Sequence, residues 1–201
     1  MGDHLANFVY FFAVVDPIGT VPVFLSVTAA LGPAETRRVA VRAFVASTAI
    51  LLFFLSVGEM VLAAMDIPLA AFQVAGGIIL FLFALTMIFG ESKPDEEIRL
   101  AAQQSDPSIF PLAVPSIASP GAILAAVLST ENARFPVWEQ AQTAGVLFAV
   151  LLIAFALMLL ASPIHRVLGA SGASLVSRVM GLLLAAAATS NTLAGIKTYF
   201  S

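Results

Sequence analysis

The chain is 201 residues long with a mass of 21.0 kDa; it is 60% hydrophobic and only 10% charged, with a formal net charge of -3 and a mean hydropathy of +1.02. Soluble domains carry about 25% charged residues, so the composition excludes an ordinary soluble enzyme, a disordered chain and a basic nucleic-acid binder, and the surplus apolar side chains must face lipid. With no cysteine, disulfides, thiolate metal sites and Cys nucleophiles are excluded together.

A hydrocarbon core about 30 Å thick takes roughly 20 helical residues to cross, and six charge-poor stretches meet that requirement. The first begins at Leu5 and runs towards Pro33 with one acid, Asp16, in its middle. Its start, MGDHLANF, lacks the basic leader of a signal peptide, so it reads as mature chain. Glu35, Arg37, Arg38 and Arg42 precede the second span, Ala43 to Ala64, which carries Glu59 near its far end. A third runs from Ile67 to Gly90. After the hydrophilic segment Glu91 to Asp106 comes a proline-rich fourth span, Phe110 to Thr130, then Gln140 to about Ile164 and Leu175 to Tyr199. The runs are continuous rather than alternating, which predicts helices and not a barrel. The loops after spans one, three and five collect Arg37, Arg38, Arg42, Lys93, Arg99, Arg166 and Arg178, whereas the other side has Arg134 and Lys197. That bias places both termini outside, with Trp138 and Tyr199 at outer helix ends.

The hydrophilic segment divides the chain into residues 1–90, a cytoplasmic loop over 91–108, and residues 109–201. Three spans per half force the second half to enter the membrane upside down, so the predicted fold is an all-α integral membrane protein made of two inverted three-helix repeats. A direct internal match is short: Val74 with Val179 and Gly76 with Gly181. The positional match is stronger. Asp16-Pro17-Ile18-Gly19 and Ser119-Pro120-Gly121-Ala122 each lie midway along the first helix of a half. Proline removes a donor and clashes with the preceding turn, so Pro17 and Pro22 in one helix, and Pro111, Pro115 and Pro120 in the other, are expected to break both. The freed polar groups need protein or a wet cavity around them, and half-helix ends carry partial charges that can hold a zwitterion or an ion.

Asp16 lies about eleven residues, ~17 Å, from the outer end of its span. A carboxylate there costs about 2.5–3.5 kcal/mol on insertion scales. Two readings are open: a cap for the half-helix beginning at Pro17, or a cap that also carries a proton or binds a substrate ammonium. Gly19, Thr20, Pro120 and Gly121 complete the candidate binding segments, with Ser119 at the second break. Asn191, flanked by Thr189, Ser190 and Thr192, is placed halfway along the sixth span, either facing the same cavity or gluing helices. Gly181 and Ala185 to Ala188 read as close backbone packing.

The segments starting Asp16-Pro-Ile-Gly-Thr-Val-Pro, Phe72-Gln-Val-Ala-Gly-Gly-Ile and Pro111-Leu-Ala-Val-Pro-Ser-Ile-Ala-Ser-Pro-Gly together resemble the MarC family of bacterial and archaeal inner-membrane proteins, over essentially the whole chain. The resemblance implies kinship with LysE-type exporters and transport of small solutes, small neutral amino acids being the substrates described for an archaeal member. It does not imply antibiotic resistance. Asp16 fits the family's Asn or Asp before proline, Ser119 stands where glycine is usual, and Asn191 approximates the sixth-span amide.

The expected function is therefore a secondary transporter of a small neutral solute, such as glycine or alanine, working by alternating access in the inner membrane with H+ or Na+ as the candidate coupling ion. A non-transporting scaffold or assembly factor is the alternative, and self-association into a homo-oligomer is open. Enzyme chemistry is not expected: only one acid lies deep, and neither His-Glu-x-x-His nor a phosphate-binding Gly-x-x-x-x-Gly-Lys occurs. Nor is a resident metal or cofactor expected.

Overall fold

The computed structural model describes residues 2–89, 98–99, 107–130 and 136–201, all of whose regular structure is helical. Lys93, Arg134 and the hydrophilic segment apart from Ile98 and Arg99 lie outside the described residues. The helices are α1 (Gly2–Val15), α2 (Pro17–Thr28), α3 (Pro33–Ala64), α4 (Leu69–Phe89), α5 (Ser108–Ile117), α6 (Pro120–Leu128), α7 (Val137–Leu159) and α8 (Ala161–Phe200). Five apolar stretches among the described residues are long enough to cross a membrane, α1 and α2 counting as one, and α5 with α6, bent by 54° at their break, makes a sixth when the pair is counted as one span.

Two helices extend beyond their charge-free stretches. Pro33 starts α3 at its first position, after an extended Gly32, and Glu35 sits in the first turn, where the helix dipole favours an acid. The helix therefore begins ten residues before Ala43 and carries Arg37, Arg38 and Arg42 out of the apolar layer. Helix α8 likewise starts at Ala161 and turns at Gly169 (φ 65°, ψ 174°) before its apolar portion from Ser171 onwards.

Burial identifies the centre of the bundle. In the most apolar window of the first span 67% of residues are buried, against 33% in α7 and 22% in each of α3, α4 and α8. The outer helices turn Phe53, Met60, Ile79, Leu82, Leu152 and Leu182 outward, as side chains in contact with lipid do. Trp138 and Tyr199 are exposed at helix ends.

The most extensive helix pair is α4 with α8, and its seam is built from small residues. A Cβ at Gly77 would lie 3.0 Å from the Ala188 carbonyl, at Gly181 3.2 Å from that of Ala84, and at Gly195 3.0 Å from that of Ala70. Residues 70, 77 and 84 thus face 195, 188 and 181 in antiparallel order, at a seven-residue repeat. Without a hydrophobic force between helices in lipid, such close backbone approach supplies the attraction. Arg178 closes one end of the seam by donating to the Ile88 carbonyl at 2.6 Å, satisfying a terminal acceptor of α4. The glycines of the short internal match sit differently: Gly76 faces Leu124 of α6, whereas Gly181 faces α4.

Replacing Gly77 or Gly195 by Val is expected to destabilise the protein by about 1–3 kcal/mol through overpacking. Gly145→Ala, inside α7 where nothing lies within 4 Å, should not destabilise and is expected to raise stability by up to about 1 kcal/mol. Thermal melting in detergent checks both.

Candidate functional site

The two breaks expected from the prolines are formed differently. In the first, a single residue interrupts the helix: Asp16 adopts a left-handed conformation (φ 47°, ψ 65°) and Pro17 opens α2. That conformation is disfavoured for most residues and best tolerated by Asn, Asp and Gly. Pro22 does not break α2, which continues through it to Thr28. In the second, Pro111 and Pro115 offer no N–H, and the preceding Phe110 and Val114 are extended, as residues before proline prefer to be. The remaining donors reach five residues back, Leu112 N–H to the Pro107 carbonyl and Ala118 N–H to that of Ala113, which gives α5 its wide π-type winding. Ser119 then caps α6, with Pro120 at its first position.

Both new helix starts are capped in the same manner. The Asp16 carboxylate accepts from the Gly19 N–H at 3.0 Å, and the Ser119 hydroxyl accepts from the Ala122 N–H at 3.1 Å; each reaches the third residue on. The breaks also satisfy each other. Ser119 donates its proton to the Val14 carbonyl at 3.0 Å, an acceptor at the end of α1. Thr20 donates to the Asp16 carbonyl at 3.2 Å, and its hydroxyl lies in hydrogen-bond contact with that of Ser116 at 3.0 Å. Ser177 of α8 donates to the second carboxylate oxygen of Asp16 at 2.8 Å.

This cluster is closed. Asp16 is 1% exposed, and Thr20, Ser116, Ser119 and Ser177 are fully buried. Gly19 is required by the geometry, because a Cβ there would lie 2.6 Å from the Ser177 hydroxyl and 2.7 Å from Cγ of Asp16. Gly121 has a different task, admitting the Leu80 side chain of α4 against the start of α6.

Of the residues singled out in the sequence, Asp16, Pro17, Gly19, Thr20, Ser119, Pro120 and Gly121 lie at the two meeting breaks, and Asn191 does not. The residue of α8 that meets Asp16 is Ser177, fourteen residues or about 21 Å of helix before Asn191. The Asn191 amide instead donates to the Tyr10 hydroxyl at 3.1 Å. Thr189 and Thr192 bond back to the carbonyls four residues earlier in their own helix, and Thr189 and Ser190 are exposed. Sequence reasoning missed Ser116, Ser177 and Tyr10. Ser116 had a signal, lying three residues before Ser119 on a proline-broken segment; Ser177 had none, since its role depends on the register of α8.

A multi-pass bundle of apolar helices whose central span is interrupted at a buried, capped acid defines a polytopic α-helical membrane protein. The chain belongs to the MarC family of integral membrane proteins, whose family model matches residues 3–200. It is 32% identical to the UPF0056 inner membrane protein YhgN of Escherichia coli (strain K12), over 99% of this chain and 98% of that protein. It is 33% identical to the UPF0056 membrane protein YvbG of Bacillus subtilis (strain 168), over 96% and 93%. A UPF0056 membrane protein of Aquifex aeolicus (strain VF5) is also 33% identical, over 94% and 90%. No solved structure matches the chain.

Replacing Ser177 by Ala leaves one oxygen of a buried carboxylate without its donor and is expected to cost about 1–3 kcal/mol. Ser190→Ala, on an exposed position, should stay within about 0.5 kcal/mol. Chemical or thermal unfolding of the two purified variants distinguishes them.

Proposed function

We propose that this protein is a secondary transporter of a small neutral solute of the amino-acid type, working by alternating access between two inverted three-helix repeats. The observation that carries the reading is the meeting of two interrupted helices, one from each half, around a buried cluster of one carboxylate and four hydroxyls. Irregular backbone at membrane depth is tolerated where it is enclosed by protein or lines a path, and transporters place solute sites at such breaks.

Helix pairing supports the repeat. The first span contacts the fifth as the fourth contacts the second, and the first contacts the sixth as the fourth contacts the third. The caps suggest how a zwitterion divides between the halves. Helix α6 is capped by a neutral hydroxyl, so its positive end can accept a solute carboxylate. Helix α2 is capped by Asp16, whose charge suits an ammonium group. The closed cluster corresponds to an occluded state, and the charge bias of the loops orients both termini outward.

A scaffold without transport is favoured by one observation: the carboxylate of Asp16 already has two protein donors. Flux separates the readings. In proteoliposomes we expect saturable uptake of labelled glycine or alanine above that of empty vesicles, increased by an imposed proton gradient. Asp16→Asn, which retains a capping oxygen, should lower gradient-driven uptake by roughly tenfold, about 1.4 kcal/mol, and flatten its pH dependence. Folded protein that moves no small amino acid overturns the transporter reading. Unchanged flux and pH dependence in Asp16→Asn removes the proton role and leaves the cap.

A further inference from the structure

At the end of the bundle that bears Arg37 and Arg38, the C-terminal ends of α2 and α7 and the starts of α3 and α8 enclose a cavity of about 480 Å³. Thr28, Thr36, Arg37 and Ser162 give it polar groups, and Phe24 and Met158 line it as well. The last two are each 1% exposed while Arg37 is exposed, so the cavity has a charged rim and an apolar inner end. Its volume is in the range of small-molecule sites, about 300–1,000 Å³.

The position of this cavity along α2 gives it significance. Asp16, Thr20, Phe24 and Thr28 recur every four residues and are all buried, which sets them along one slowly turning face of the helix. Thr28 lies in the cavity, Thr20 in the polar cluster at the breaks, and Phe24 halfway between, about 6 Å from each along the axis. Thr28 donates to the Phe24 carbonyl at 2.7 Å, which uses its proton within the helix and leaves its lone pairs free to accept.

We infer that this cavity is the access vestibule of the transport path, that it receives small carboxylate-bearing solutes at Arg37, and that Phe24 is the gate between it and the Asp16–Thr20 cluster. The inference rests on the transporter reading, and it specifies the entrance and the barrier. An apolar ring across a polar path blocks water and charged groups together. Arg37 at the rim draws the carboxylate end of a solute, so the solute's ammonium end stays directed away from the rim.

The chain has no cysteine, so any introduced thiol is the sole target for a membrane-impermeant maleimide. Thiol reactivity requires access to water and a thiolate, which makes labelling a direct measure of the barrier and needs no known substrate. In membrane vesicles that expose the Arg37 face, Thr28→Cys is expected to label readily. Thr20→Cys should label roughly tenfold or more slowly, and adding Phe24→Ala should bring it close to the Thr28→Cys rate. Phe24→Leu, a milder change that preserves packing, should give an intermediate rate and serves if Phe24→Ala does not fold. Arg37→Gln should raise the solute concentration for half-maximal uptake and leave thiol labelling unchanged. Slow labelling at Thr28→Cys overturns the vestibule. Labelling of Thr20→Cys at the same rate with Phe24 and with Ala or Leu in its place overturns the gate. Either result can occur while uptake persists, so failure here is distinguishable from failure of the transporter reading, which shows as absent flux with the labelling pattern intact.

Discussion

The structure depends on one constraint: a helix interrupted inside a membrane must have its freed N–H and C=O groups satisfied by protein, because hydrocarbon cannot do so. Asp16 meets most of that demand in the first span. Its backbone supplies the left-handed turn, its carboxylate caps the helix that follows, and its remaining oxygen accepts from α8. Ser119 does the complementary work, capping α6 while donating to the last turn of α1. The two breaks are thus joined, through Ser119 to the Val14 carbonyl and through Thr20 to Ser116. This joining fits the first span being far more enclosed than α3, α4, α7 and α8, since its polar backbone can be placed only where neighbours surround it.

Much of this was legible in the sequence, because lipid makes the rules strict. Charge-poor runs located the five long apolar stretches and the bent α5–α6 pair, and the two X-Pro-X-X segments located the interruptions. What the runs could not give was the length of each helix. A charge marks where a helix leaves the apolar layer and not where it stops, so α3 and α8 proved longer than their spans, and nothing in a charge-free run gives the register in which Ser177 and not Asn191 of α8 meets Asp16. The prolines were also less uniform than their number suggests. Pro22 is absorbed within α2, whereas Pro111 and Pro115 rewind α5. The difference lies in position, since two prolines four residues apart remove donors from successive turns and the ladder can be resumed only with a longer step.

Family membership and geometry bear on different matters. The match over residues 3–200 and the relatives at about one-third identity establish a membrane protein of a defined lineage. The chemistry of the interior comes from the residues themselves. An acid with two donors, four hydroxyls and two helix starts is the chemistry on which the proposed transport role rests.

The glycine and alanine seam between α4 and α8 has a mechanical consequence. Main chains approach closely at Gly77, Gly181 and Gly195 while Thr192, Met87 and Val74 close over the same glycines, so the two rods are keyed together along their shared length. In the proposed transport cycle, a rearrangement that preserved this seam would fall on the shorter, proline-cut segments beside it.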